Sequence, residues 1–181
     1  LNQSTLGKKE SIADFSQTVS RYADFIMARL NAHEQLEELA KFSSVPVINA
    51  MTNFEHPCQG VADFQTIFEK KGKFKGLTLA YVGDANNNVT HSLLFGGALL
   101  GMNVAIGCPK HPDFIPKREI LDWAGKTAME NGAHVFVSHN PLEAVQNADI
   151  VYTDSWMSYR IPAEQEKKRV KWLKPFQVNS K

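Results

Sequence analysis

The segment NFEHPCQGVAD, residues 53–63, concentrates polar and reactive side chains around one proline. His56 directly precedes Pro57, which suits the first turn of a helix, and Gln59 then falls in that turn. Both side chains can therefore lie near the positive end of the helix, an environment that suits an anion or a polarised carbonyl oxygen. A helix cap followed by a loop histidine is the alternative. Cys58 is interpreted as a packed core residue, because nothing beside it favours a thiolate.

A second polar segment, VGDANNNVTHSLL at residues 82–94, supplies amide side chains directly after an apolar run. Gly83 is its one glycine, so the GxGxxG pattern of a dinucleotide-binding loop is absent. The asparagines at 86–88 can donate and accept hydrogen bonds, and they also tolerate strained turns. A turn with a helix cap is the alternative interpretation. His91, within the following helix, is interpreted as a packed or capping histidine.

Charged side chains also follow two other apolar runs. In VYTDSWMSYR, Asp154 could hold an ammonium group and Ser158 the carboxylate of the same molecule. The alternative is a loop aspartate that caps the next helix. Arg29 lies at the end of the apolar strand predicted in FIMARL. An arginine that terminates an apolar strand is expected to have an anionic or carbonyl partner.

The elements that position these residues alternate along the chain. Apolar periodicity predicts helices, the first with Ser11 as its N-cap, and β-branched runs predict strands between them. Continuous apolar strands favour parallel sheets covered by helices on both faces, an α/β fold in which ligands bind at the carboxyl ends of the strands. The linker at residues 71–76 divides two such units, and the helix from Pro57 is predicted to bridge them. The predicted helices are 10–25, 33–42, 57–71, 89–101, 117–131 and 141–148, and the predicted strands are 25–30, 45–50, 77–83, 103–109, 134–139 and 149–156.

Composition excludes several classes of protein. The 181 residues are 43% hydrophobic and 22% charged with a net charge of +1, which is typical of a globular protein and does not indicate nucleic acid as a partner. The basic run EQEKKRVKWLK is interpreted as a solvated helix face. No apolar run approaches the roughly 20 residues of a membrane span. Two widely spaced cysteines favour a reducing compartment, and the chain, which begins at Leu1, is expected to lack both ends of a longer protein.

Taken together, several segments resemble the transcarbamylase family, most closely its ornithine branch. The resemblance is carried in the same order by ESIADFSQTVSRYADFIMARL, SSVPVINAMTNFEHPCQGVAD, KGLTLAYVGDANNNVTHSLL and NADIVYTDSWMS, and it covers essentially the whole chain. It implies two parallel-sheet α/β domains, each present in part. Residues 1–72 would be the C-terminal part of a carbamoyl phosphate-binding domain including the interdomain helix, and residues 73–181 the N-terminal part of an amino acid-binding domain.

The resemblance also implies residue roles. The carbamoyl group would be bound by Arg29, His56 and Gln59, which would draw electron density onto its carbonyl oxygen. Two potential cations and an amide would then surround one developing oxyanion. Asn88 and Asp154, with Ser158, would hold the two ends of L-ornithine. The reaction implied is carbamoyl transfer from carbamoyl phosphate to ornithine, giving citrulline, without a metal, a cofactor or a covalent enzyme intermediate.

The sequence departs from the family's pattern in three places. The phosphate-binding Ser-Thr-Arg-Thr-Arg motif and the downstream His-Cys-Leu-Pro motif are absent, so the isolated chain is expected to be inactive. Ser158, Tyr159 and Arg160 stand where Ser-Met-Gly is usual in a loop over the amino acid, which leaves another amine acceptor open. STLGKKES resembles the aspartate branch, in which Thr5 and Lys9 would enter a neighbouring subunit's site; an ordinary surface loop is the alternative.

The resemblance implies that the complete protein is a homotrimer or a multiple of trimers. A cytoplasmic location is expected, or the mitochondrial matrix in a eukaryote. Composition and hydropathy predict neither nucleic acid nor membrane as a partner. A carbamoyltransferase acting on another amine and a non-catalytic paralogue are the competing hypotheses, and a dinucleotide-dependent enzyme is a more distant one.

Overall fold

Two separate parallel sheets organise the chain in a computed structural model that describes residues 10–157 and 161–179. The first sheet has the order β1-β2 and the second β5-β4-β3-β6. The strands of the described residues are β1 Ile26–Arg29, β2 Val47–Met51, β3 Thr78–Val82, β4 Asn103–Gly107, β5 Val135–Ser138 and β6 Ile150–Tyr152. The α-helices are α1 Ile12–Val19, α2 His33–Phe42, α3 Pro57–Lys71, α4 Asn88–Leu99, α5 Arg118–Glu130, α6 Pro141–Val145 and α7 Glu166–Leu173.

The first unit, β1 and β2 with α1 to α3, has a small core. Ile12 of α1, Ile26 of β1, and Leu36 and Leu39 of α2 are buried together there. The sequence predicts a buried strand at residues 25–30, but Met27 is 59% exposed, so one face of this sheet is open among the described residues. The parallel pairing of β1 with β2 agrees with the predicted fold class.

Helix α1 begins as predicted and ends earlier than predicted. The Ser11 hydroxyl accepts the backbone N–H of Asp14 at 3.0 Å, which confirms Ser11 as the N-cap. The prediction that the helix continues to residue 25 is wrong, because α1 ends at Val19. There the Ser20 hydroxyl donates to the Ser16 carbonyl at 2.7 Å and contacts the Ser43 hydroxyl at 3.0 Å. These side-chain bonds compete with continuation of the helix.

The second unit, β3 to β6 with α4 to α7, contains the main core. Leu79 and Tyr81 of β3 and Val104 and Ile106 of β4 are completely buried, as continuous apolar strands predict. All pairings in this sheet are parallel, so the predicted α/β class is confirmed. None of the described helices is long and apolar enough to cross a membrane.

Helix α3 packs against both units at very short range. It contacts β2 of the first unit and α4 of the second. A Cβ atom at Gly96 of α4 would overlap the Phe64 ring of α3, and one at Gly60 of α3 would lie 3.3 Å from Ser92 Cβ. The helix ends at Gly72, whose φ of 70° suits glycine. Its bounds match the predicted residues 57–71.

We expect Gly96→Ala to destabilise the protein, because the added methyl group overlaps the buried Phe64 ring. Overpacking of this kind costs about 1–3 kcal/mol. Gly125→Ala in α5 is the matched control, since no atom outside its own helix turn lies within 4 Å of where the new methyl group would stand. That substitution should stabilise by about 0.4–1 kcal/mol. Urea unfolding followed by circular dichroism measures both. Equal effects of the two substitutions would contradict the close approach of α3 and α4.

Candidate functional site

A cleft of about 660 Å³ lies where strand ends of both sheets face each other. It follows the carboxyl ends of β1, β2, β3 and β6, as expected for ligand sites in parallel sheets. Five of the site residues predicted from the sequence line this one cleft: Arg29, His56, Gln59, Asn88 and Asp154. The convergence of these residues from distant parts of the chain is the main structural finding about the site.

His56 is held at the start of α3 by its backbone. Its N–H donates to the Ser92 hydroxyl at 2.9 Å, and its carbonyl accepts the Gly60 N–H at 3.0 Å. Its ring Nδ1 is buried without a hydrogen-bond partner among the described residues. Burial, and then the nearby positive charge of Arg29, lowers the pKa of His56, while Asp154 and Asp63 oppose this effect. A neutral imidazole is therefore favoured at neutral pH, whereas the sequence-based interpretation counted His56 as a potential cation.

Gln59 is oriented by a short chain of hydrogen bonds. Its amide nitrogen donates to one oxygen of Asp63 at 2.9 Å, and the Tyr152 hydroxyl donates to the other at 2.9 Å. Burial raises the pKa of Tyr152, so its hydroxyl keeps the proton that it donates. With its nitrogen directed to Asp63, Gln59 has its carbonyl oxygen available as an acceptor. An acceptor suits an N–H group of a ligand better than an oxyanion.

The three asparagines have separate tasks. The Asn86 backbone N–H donates to Asp84 at 3.1 Å, and the Asn87 side chain caps α4 by accepting the Thr90 N–H at 2.9 Å. Asn88 donates its amide to the Thr52 carbonyl at 2.6 Å, which joins the second unit to the first. The cap interpretation therefore applies to Asn87, and Asn88 lines the cleft while it bridges the units.

Two further sequence predictions, for His91 and Cys58, have opposite outcomes. His91 is 4% exposed and donates from Nδ1 to the Phe54 carbonyl at 2.8 Å, so it is a packed histidine as predicted. Burial lowers its pKa. The prediction that Cys58 is a core residue is wrong, because its side chain is exposed with its thiol 3.4 Å from the Asn49 carbonyl. Position 58 lies on the solvent side of α3 because Gly60 and Phe64 form the buried side.

Asp154 is exposed at the rim of the cleft, where it accepts the Ser155 N–H at 2.7 Å. Ser158, Tyr159, Thr5 and Lys9 lie outside the described residues. Within the part of the chain that the structure describes, no cluster of three histidine, cysteine, aspartate or glutamate residues could hold a metal ion.

Sequence reasoning placed Asp84 after β3 without giving it a role, and it missed Arg169. Asp84 and Arg169 both line the cleft and form a buried ion pair with each other. Arg169 belongs to the basic run interpreted as a solvated face, and for this residue that interpretation is wrong because the side chain is buried against Asp84 and Phe114. Leu173, which lies four residues later on the same side of the helix and is fully buried, was the available signal that part of this helix is packed.

Two α/β units that direct strand ends and a helix N-terminus into one polar cleft are typical of proteins that bind small polar molecules between their units. Family models identify the chain more closely. The aspartate/ornithine carbamoyltransferase carbamoyl-P binding domain matches residues 1–69, and the Asp/Orn binding domain of the same family matches residues 75–181. The chain therefore belongs to the aspartate/ornithine carbamoyltransferase family.

Individual relatives agree with this assignment. An ornithine carbamoyltransferase from Pyrococcus horikoshii is 47% identical over 174 residues, covering 96% of this chain and 54% of the relative. One from Methanothermobacter thermautotrophicus is 50% identical over 174 residues, covering 96% of this chain and 56% of the relative. The solved ornithine carbamoyltransferase of Pyrococcus furiosus superposes with a TM-score of 0.91 at 45% identity, over 98% of this chain and 56% of that one. The chain thus spans about half the length of the curated relatives it matches.

We expect Arg29→Gln to raise the pKa of His56, because the charge of Arg29 is one of the two effects that lower it. Burial still lowers the pKa in that variant, while Asp154 and Asp63 raise it. Histidine resonances followed by NMR across a pH titration measure this, with His56→Gln used to assign the signal. Arg21→Gln, at an exposed position outside the cleft, is the control and should leave the titration unchanged. An unchanged His56 titration in Arg29→Gln would show that the two groups are not neighbours.

Proposed function

We propose that the complete protein transfers the carbamoyl group of carbamoyl phosphate to the side-chain amine of L-ornithine. The amine nitrogen attacks the carbonyl carbon, the bond from that carbon to the phosphate oxygen breaks, and the amine loses a proton, giving L-citrulline and phosphate. The observation that carries the proposal is the convergence of Arg29, His56, Gln59, Asn88 and Asp154 on one cleft, in a chain whose relatives are named ornithine carbamoyltransferases.

The polar groups of the first unit suit carbamoyl phosphate. Arg29 supplies a permanent positive charge for the carbonyl oxygen or the phosphate. The neutral His56 ring can donate one hydrogen bond to the carbonyl oxygen as negative charge develops there. Gln59, whose amide nitrogen is held by Asp63, presents an oxygen that accepts from the carbamoyl NH₂ group. Arg29 and His56 would thus face the oxygen of the carbamoyl group, and Gln59 would face its nitrogen.

The groups of the second unit suit the amino acid. The Asp154 carboxylate would pair with the α-ammonium group, and Asn88, already tied to Thr52, would contact the same end of the molecule. Ser158 and Tyr159 are further candidate contacts, and Thr5 and Lys9 would reach a neighbouring subunit of a homotrimer. A free amine of this kind titrates near pH ~10.4. Partial desolvation and the nearby Arg29 charge would favour the neutral nucleophile.

The proposal extends to the organisation of the whole protein. Residues 1–72 and 73–181 would belong to the carbamoyl phosphate domain and the amino acid domain, and the active protein would be a cytoplasmic trimer or a multiple of trimers. The departure at Tyr159 and Arg160 from the usual Met-Gly favours one competitor, a carbamoyltransferase with another amine acceptor. Asp154 argues against acceptors without a free α-ammonium group.

The test uses protein expressed from the complete reading frame and supplied with carbamoyl phosphate and L-ornithine. Citrulline should form, and Arg29→Gln or His56→Ala should lower kcat on the order of 10²-fold, as for loss of an oxyanion donor. Arg21→Gln should keep wild-type turnover. Full activity in either cleft variant would show that the roles are misassigned.

A parallel panel of acceptors identifies the substrate. If citrulline forms only at background level and another amine supports phosphate release, that amine is the acceptor and ornithine is not. No turnover with any acceptor would favour a non-catalytic member of the family.

A further inference from the structure

Arg169 connects three segments that are far apart in the chain. Its Nη2 pairs with Asp84 Oδ2 after β3, and its Nε donates to the Trp156 carbonyl after β6 at 2.9 Å. Its guanidinium carbon lies 4.9 Å from the centre of the Phe114 ring. The Arg169 and Asp84 side chains are only 9% and 10% exposed. The planar guanidinium makes these contacts from separate nitrogen atoms in a fixed geometry, whereas an ammonium group has a single nitrogen atom.

At one end of this connection, Asp84 organises the loop that leads into α4. Its carboxylate accepts the Asn86 N–H at 3.1 Å. Its backbone carbonyl accepts the Tyr81 hydroxyl at 2.7 Å and the Asn87 amide at 2.6 Å. Because Asn87 is the N-cap of α4 and Asn88 its first residue, the position of Asp84 determines where Asn88 stands at the cleft.

At the other end, the Trp156 carbonyl lies two residues beyond Asp154. The same short segment is folded on itself, since the Ser155 hydroxyl donates to the Met157 carbonyl and accepts the Met157 N–H at 3.3 Å. A bond to the middle of this turn therefore holds Asp154 in place, although Asp154 itself is exposed.

We propose that Arg169 is a positioning residue for the amino-acid acceptor, setting the distance between Asp154 and Asn88 by holding Trp156 and Asp84 together. The inference deepens the proposed function and rests on it for the identity of the ligand. An amino acid binds through charged groups at a fixed spacing, so a small change in the separation of these two side chains weakens the binding of the acceptor. Carbamoyl phosphate, bound by residues of the first unit, should be affected little.

Arg169→Lys is the informative variant. It keeps a positive charge beside Asp84, so no buried carboxylate is left unpaired, but it loses the second contact to Trp156. In the complete protein we expect the KM for ornithine to rise at least about 10-fold, by analogy with loss of a hydrogen bond to a charged group. The value of kcat and the KM for carbamoyl phosphate should stay within about 2-fold of wild type, because the residues that would bind carbamoyl phosphate belong to the first unit. Lys168→Gln, at the exposed neighbouring position, is the matched control and should change none of these values.

A second measurement does not depend on turnover. Hydrogen exchange of the backbone amides at residues 153–157 should be faster in Arg169→Lys than in Lys168→Gln, while exchange in α2 of the first unit stays the same. If exchange is faster in Arg169→Lys but the protein forms no citrulline, the positioning role stands and the proposed reaction is wrong. Unchanged exchange, or a KM for ornithine equal to that of wild type in an active enzyme, would overturn the positioning role.

Discussion

The cleft depends on the close packing of α3 against α4, an interface called the seam below. The Phe64 ring occupies the space that a side chain at position 96 would need, so the two helices approach more closely than side chains would otherwise allow. At the same seam the His56 N–H bonds to Ser92 and the Asn88 amide to the Thr52 carbonyl. These bonds join the end of β2 to the start of α4. The ends of the two sheets consequently face one volume, and residues separated by more than a hundred positions can meet there.

Within that volume, burial and charge decide what each group can do. The charge of Arg29, together with burial, lowers the pKa of His56, so this part of the cleft presents a cation beside a neutral donor. Two like charges beside one another would have been unfavourable, whereas this combination is complementary to a neutral carbonyl that becomes an oxyanion. Asp63 directs the nitrogen of Gln59 away from the ligand and leaves its oxygen available, which adds an acceptor to the set. This pattern of donors and acceptors is the reason to propose a carbamoyl group, and not a simple anion, as the ligand.

The sequence predicted features that depend on neighbours along the chain. Helix α3 was predictable to the residue because Pro57 suits its first turn and Gly72 its left-handed C-cap. The meeting of Arg29 with Asp154 followed from the rule for parallel strand ends. Features that depend on long-range packing were not predictable. The exposure of Cys58 is set by which helix faces meet, and the pairing of Arg169 with Asp84 joins residues 85 positions apart.

The pair of Asp84 and Arg169 is better explained by geometry than by stability. Two charges taken out of water lose hydration that their mutual attraction only partly restores, so a buried ion pair can contribute less than an apolar pair of the same size. Burial, with a smaller effect of Asp154, raises the pKa of Asp84, and the Arg169 charge opposes that rise. An apolar replacement could fill the space, but it could not donate to the Trp156 carbonyl and to a carboxylate together. Directional bonds join two loops of the cleft at a defined spacing, and nondirectional packing would leave that spacing free to vary.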